Sequence, residues 1–184
     1  GNNALDAMHA VMSELITLRQ ELAAKHRNPA FHVQVPTLNL GCLHAGDNPN
    51  RICGHAELQI DLRLLPGMDA AATEETLRTR VGAVAERFGT ACSIRPFYPP
   101  LPAFATDPDG ELITSLAGFS GHSPRSVGFG TEGPFFQSLG METVVFGPGS
   151  IDQAHQPNEF LSRAQIAAGR EILGACIERF CVRG

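Results

Sequence analysis

Apolar residues in the first part of the chain return at helical spacing. Over residues 4–25, Leu5, Met8, Met12, Leu15 and Leu22 recur at steps of three, four and seven, with Val11 and Leu18 beside them, which predicts one apolar helix face. Asn3 suits the N-cap and Asp6 the first turn. After Asn28-Pro29 the period changes to two: Leu38, Leu40 and Cys42 alternate with Asn39, Gly41 and Leu43, predicting a strand over residues 37–44. The alternation is cleanest over residues 55–65, where Ala56, Leu58, Ile60, Leu62 and Leu64 share one face and Glu57, Gln59, Asp61 and Arg63 the other. Pro66-Gly67 ends that strand, and Leu77, Val81, Val84 and Phe88 predict an amphipathic helix over residues 69–88, closed by Gly89. Residues 92–97 read as a third strand. The order helix, strand, strand, helix, strand predicts an α+β layer, an antiparallel sheet with helices on one face that lacks only an opening strand to be a split-βαβ unit.

Tyr98-Pro99-Pro100-Leu101-Pro102 marks a domain boundary, so residues 1–100 and 101–184 are read as two parts. In the second part, residues 109–119 and 131–139 read as helices, while 126–129 and 143–146 read as short, continuously apolar strands. Ser162 and Gln165 have capping-box spacing, and Ile166, Leu173, Ile177 and Phe180 would give the last helix its buried face. Such alternation of helix and apolar strand predicts part of a parallel or mixed α/β sheet, too short to be a whole domain.

Charge narrows the partners. With 14 basic and 19 acidic side chains the net charge is -5, which disfavours nucleic acid or an anionic membrane surface and leaves a small polar substrate or another protein. The longest stretch without Asp, Glu, Lys or Arg, residues 28–46, carries prolines, asparagines and histidines, so no membrane-spanning helix is expected. The five cysteines form an odd, scattered set without C-x-x-C, which suits buried thiols in a reducing cytoplasm rather than disulfides or a thiolate metal site. No basic, then apolar, leader opens the chain, and no targeting peptide is expected.

Two glycine-flanked turns stand where an α/β sheet binds ligands, beyond the carboxyl ends of strands. One is Gly147-Pro148-Gly149-Ser150, followed by Asp152, His155 and Glu159; His155 is a candidate metal ligand there, with Asp152 or Glu159 to orient its ring, although spacing alone favours an ordinary loop histidine. The other is Gly128-Phe129-Gly130-Thr131-Glu132-Gly133, where exposed amides and the Thr131 hydroxyl suit either an anionic group or simple capping. Arg63, on the polar face of its strand, suits a carboxylate ligand or a surface pair with Asp61 or Glu57. Asn50 lies in a turn. No G-x-S-x-G elbow, phosphate loop or G-x-G-x-x-G is present, so serine hydrolase, nucleotide hydrolase and dinucleotide chemistry are unsupported.

Taken together, Leu38-Asn39-Leu40-Gly41, Asn50-Arg51-Ile52-Cys53, Asp61-Leu62-Arg63-Leu64-Leu65-Pro66-Gly67-Met68, Gly130-Thr131-Glu132, Phe146-Gly147-Pro148-Gly149-Ser150-Ile151 and Ala154-His155-Gln156-Pro157-Asn158-Glu159 resemble, in order, the dinuclear zinc aminoacylase and carboxypeptidase family. The resemblance covers nearly the whole chain and matches the C-terminal portion of such enzymes. It implies that residues 1–100 are the lid and dimerisation domain, without its opening strand, and that residues 101–184 are the C-terminal segment of an α/β zinc-hydrolase domain. It makes His155 a metal ligand, reversing the reading from spacing. By the same resemblance Asn50 and Arg63 bind the substrate's oxyanion and carboxylate, Gly130, Thr131, Gly147 and Gly149 line the pocket, and Glu132 meets the positive end of an ornithine-like substrate.

The implied activity is removal of the acetyl group from N2-acetyl-L-ornithine in arginine biosynthesis, in the cytoplasm, by a homodimer joined through the lid. The implied cofactor is a pair of zinc ions, with cobalt as a substitute. The family's general base and remaining ligands lie outside this chain, so no catalytic residue is assigned and the chain alone is expected to be inactive. A dimerisation and substrate-binding module without catalysis, a desuccinylase and another acylamino-acid hydrolase are the alternatives.

Overall fold

A computed structural model describes residues 1–182. In chain order the elements are α1 (Ala4–Lys25), β1 (Thr37–Ala45), β2 (Ala56–Arg63), α2 (Ala70–Arg87), α3 (Glu111–Ser120), α4 (Gly133–Ser138) and α5 (Arg163–Ile177), with a 3-10 turn at Ile151–Gln153 and a π-helical turn at Glu178–Val182. They belong to two compact units. The first comprises Gly1–Phe104 with Ser126–Gly130, and the second Ala105–Arg125 with the residues from Thr131 onward.

The first unit is an antiparallel β1–β2 hairpin with α1 and α2 packed against each other and against one face of the sheet. Asn3 caps α1 by accepting the Leu5 amide at 3.0 Å, and Asp69 caps α2 by accepting the Ala72 amide at 2.9 Å. The core joins Val11, Leu15 and Leu18 of α1, Leu38 of β1, and Leu77, Val81 and Val84 of α2, with Leu58, Ile60 and Leu62 of β2 packed against it. On α1 the buried stripe runs through Ala7, Val11, Leu15 and Leu18, so the face is rotated from the one expected and Leu5 is left exposed. Both stripes fit helical spacing; contact with α2 and the sheet selects the one that meshes.

In β1 the expected alternation holds only up to Leu40. A bulge between Leu40 and Cys42 inserts Gly41 as an extra residue, so Cys42 pairs with Gln59 and Leu43 with Leu58. Leu43 thus takes the core-side face in place of Cys42. Gly89, at φ +61°, follows the α2 C-cap as a left-handed glycine should.

The third strand expected over residues 92–97 is not formed, although Ile94 packs on the core and its carbonyl accepts Arg78 Nη1 at 2.8 Å. The apolar side chain and the strand ladder are separate requirements, and only the first is met.

Arg80 clamps the two helices. Its Nε donates to Glu14 Oε1 at 2.5 Å, and its Nη1 and Nη2 donate to Glu21 at 2.6 and 3.1 Å. The hydrogen bond from Arg80 holds the Glu21 carboxyl below the usual glutamate range; burial opposes it, and the charges of Arg80 and Lys25 add smaller lowering effects. A depressed carboxyl contributes stability above its unfolded value and loses it as pH falls through the folded one. Below about pH 4.3, the unperturbed glutamate value, the melting temperature should therefore fall more steeply for the native chain than for Glu21→Gln. Parallel melting curves from pH 6 to 3 would show that the clamp carries no such linkage.

The second unit is helical. α3 starts at Gly110 without a side-chain cap of its own, and the Glu142 carboxylate accepts the Leu112 amide at 3.1 Å through both oxygens instead. Ser162 occupies the α5 N-cap position, but its side chain makes no cap bond, so the capping box does not close. The Cβ-less face of Gly169 meets the Pro148 ring, where an added Cβ would stand 3.3 Å from it.

Strands expected over residues 126–129 and 143–146 are absent, and no parallel or mixed sheet is formed among the described residues. Extended backbone becomes a strand only with a neighbour to take its N–H and C=O groups. The expected buried face of the last helix is also absent: Ile166, Leu173 and Ile177 are 47%, 47% and 58% exposed, and only Gly169 of α5 is buried.

Candidate functional site

The most unusual backbone position is His155. Its φ of +62° makes it the one non-glycine residue with positive φ among the described residues, a conformation that costs an L-residue roughly 1–2 kcal/mol. The surrounding turn holds it there. The Glu159 carboxylate accepts the His155 amide at 3.1 Å, and the Glu159 amide donates to the Gln156 carbonyl at 3.1 Å. Ser150 opens this stretch by accepting the Asp152 amide at 3.3 Å, while its hydroxyl donates to the Asp152 carboxylate at 3.2 Å. Both carboxylates expected to orient the imidazole are thus used on backbone or on Ser150. The His155 ring is exposed and makes no hydrogen bond among the described residues.

Gly149, at φ +106°, needs to be glycine for its conformation, and an added Cβ would meet Leu161 Cδ1 at 3.2 Å. Gly147 has open space where a Cβ would stand. Thr131 accepts the Gly133 amide on its hydroxyl at 3.0 Å, one residue ahead of the α4 N-cap position, and α4 is only six residues long. Glu132 is exposed at the N-cap position of α4, with its carbonyl accepting the Phe135 amide.

In the first unit, Arg63 ends β2. Its Nε donates to Asp61 at 2.7 Å and its Nη1 to the Gly128 carbonyl at 3.2 Å, which leaves Nη2 for a ligand. The pair with Asp61 is more than half exposed on both sides, so the guanidinium is held more in direction than in energy. Gly130 lies against Leu101, whose side chain fills the space a Cβ would need. Asn50 sits in the β1–β2 loop, its amide accepted by the Asn48 side chain at 3.1 Å, next to the Arg51–Asp47 pair.

The structure does not bring Asn50 and Arg63 together. The loop end of the hairpin is the Ala45–Ala56 pair and the far end is the Thr37–Arg63 pair. Seven residues of β2 separate them, about 24 Å at a strand rise of about 3.4 Å. Asn50 thus lies beyond one end of the hairpin and Arg63 at the other.

Zinc needs about four ligands in a closed arrangement. Among the described residues no three His, Cys, Asp or Glu side chains converge to hold a metal ion. The donors present therefore do not fit a zinc centre by themselves, and His155 offers one imidazole. All five cysteines are free; Cys53 is buried, Cys42 and Cys176 are half-buried, and Cys92 and Cys181 are exposed, so the expectation of uniformly buried thiols fails for the last two. Cys42 stands beside His44 on β1, a neighbourhood that period-two spacing already gives; the bulge decides only that both lie on the polar face. Among the described residues no helix is long and apolar enough to cross a membrane.

Residues 1–88 match the peptidase dimerisation domain family. The chain is 40% identical over 181 residues to acetylornithine deacetylase of Pectobacterium atrosepticum, covering 98% of this chain and 47% of that protein. The acetylornithine deacetylase of Aliivibrio salmonicida is likewise 40% identical over 98% of this chain and 48% of its own length, and that of Edwardsiella ictaluri is 39% identical over 100% and 48%. The chain thus spans about half the length of the curated relatives it matches. Residues 1–88 are thus similar to the peptidase dimerisation domain family, and nearly the whole chain is similar in sequence to about half the length of the acetylornithine deacetylases.

Proposed function

We propose that this chain is the dimerisation and substrate-binding portion of a metal-dependent amide hydrolase that removes the acetyl group from N2-acetyl-L-ornithine. The observation that carries the reading is the likeness to acetylornithine deacetylases over nearly its full length, with Asn50, Arg63 and His155 all inside the aligned span. Arg63 offers its Nη2 to the substrate carboxylate as a charge-assisted hydrogen bond. Thr131, Glu132 and the backbone around Gly130, Gly147 and Gly149 shape the pocket for the amino-acid side chain. His155 would offer one imidazole to a zinc ion, whose chemistry when bound would be that of a Lewis acid.

The separation of Asn50 from Arg63 favours a dimer as the working form. In a two-fold assembly through the first unit, a ligand held by Arg63 of one copy is open to Asn50 of the other.

The experiment is acetate release from N2-acetyl-L-ornithine with zinc or cobalt, by this chain and by a form that also carries the half of the relatives it does not match. Turnover by the longer form alone is the expected result; turnover of only a succinylated or other acylated amino acid would replace the substrate, and none by either would end the hydrolase reading. In the longer form Arg63→Ala should lower kcat/KM at least tenfold, about 1.4 kcal/mol, mostly through KM. An unchanged kcat/KM would return Arg63 to a surface pair with Asp61.

A further inference from the structure

We propose that Cys42, hydrogen-bonded to His44 on the polar face of the hairpin, is a reactive thiol that captures small disulfides as a mixed disulfide. The bulge at Gly41 creates the arrangement. Without it Cys42 would share the core face with Leu38 and Leu40; with it, Cys42 stands opposite Gln59 and His44 opposite Glu57, on the face away from the core. Two residues apart on one strand, Cys42 and His44 share that face, and Cys42 Sγ lies 3.1 Å from His44 Nε2. Across the ladder Gln59 Nε2 donates to Glu57 Oε1 at 3.2 Å, so the neighbouring polar groups are engaged with each other and leave the imidazole to the thiol.

The thiolate is the nucleophile in disulfide exchange, and an imidazole in hydrogen-bond contact is a base placed to take the thiol proton. In the step proposed, Cys42 Sγ attacks one sulfur of a small disulfide such as oxidised glutathione. The new S–S bond forms as the old one breaks, and the departing thiolate leaves as a thiol with the proton held by His44. Cys42 is oxidised, and the disulfide is the oxidant.

Exposure alone ranks the cysteines differently, which makes the proposal decidable. Cys92 and Cys181 are exposed and Cys42 is only half-buried, so access by itself puts the first two ahead. Burial, with Cys181 adding, pushes the Cys176 thiol up, and that residue should react slowly.

The test is to treat the full chain with excess oxidised glutathione at pH 7 and to follow each mixed disulfide by peptide mass spectrometry. Cys42 should be modified at least tenfold faster than Cys92, and His44→Ala should slow Cys42 at least tenfold while Cys92 keeps its rate. A Cys92 or Cys181 rate above that of Cys42, or a Cys42 rate indifferent to His44, overturns the proposal. The native ratio of Cys42 to Cys92 needs no variant, so misfolding of His44→Ala, visible as modification of the buried Cys53, does not shield it; His44→Gln then serves as the second variant.

Discussion

Leu38→Ala will destabilise the first unit by about 3 kcal/mol, within the 2–5 kcal/mol range of buried leucine truncations. Leu38 is 2% exposed and meets both helices' core residues from the sheet side, so its loss opens a cavity that neither α1 nor α2 can fill without giving up contacts on the other. At a urea dependence of about 1.5 kcal/mol per molar, the unfolding midpoint should drop by about 2 M. Leu43→Ala, on the same face but 41% exposed near the hairpin's loop end, should cost less than about 1 kcal/mol. Equal losses at the two positions would mean that burial does not fall off along the core face of β1 toward the hairpin's loop end. Leu173→Ala, 47% exposed on α5, should change stability by no more than about 0.5 kcal/mol, although its spacing marks it as a core position.

That contrast shows where sequence reading holds and where it stops. The two helices and two strands of the first unit could be read because each finds its partner inside the unit: β1 pairs β2, and the faces so formed meet α1 and α2. Periodicity then reports burial, apart from the rotation on α1 and the bulge in β1, which depend on how partners mesh rather than on composition. Residues 143–146 and 126–129 have the apolar runs of inner strands, and α5 has the stripe of a buried helix, yet no ladder or covering layer is present for them among the described residues. Apolar pattern states what a segment needs and cannot supply the neighbour that meets the need. The site was legible in the same uneven way. Gly149 sits in a turn whose positive φ its residue type suits and His155 in one that it does not, whereas the placing of Asn50 and Arg63 at opposite ends of the hairpin follows from register, which no single motif encodes.

His155→Asn in the longer form should lower kcat/KM by three orders of magnitude or more, about 4 kcal/mol, while leaving the fold intact. Asparagine is the informative replacement because of the backbone. At φ +62° an alanine would add strain to the turn, so that lost activity could reflect a moved loop, whereas asparagine accepts the left-handed region and keeps the amide that Glu159 accepts. The exposed ring makes no hydrogen bond among the described residues, so its removal breaks no internal contact and the melting temperature should move by less than a few degrees. A purely structural histidine would show the opposite pattern, a lowered melting temperature with activity retained. A turn that spends roughly 1–2 kcal/mol on a left-handed histidine holds because Glu159, Ser150 and the 3-10 turn at Ile151–Gln153 over-determine it. Zinc content measured on the same pair should fall with activity in His155→Asn, and activity within tenfold of the native form, with zinc retained, would remove His155 from the ligand set.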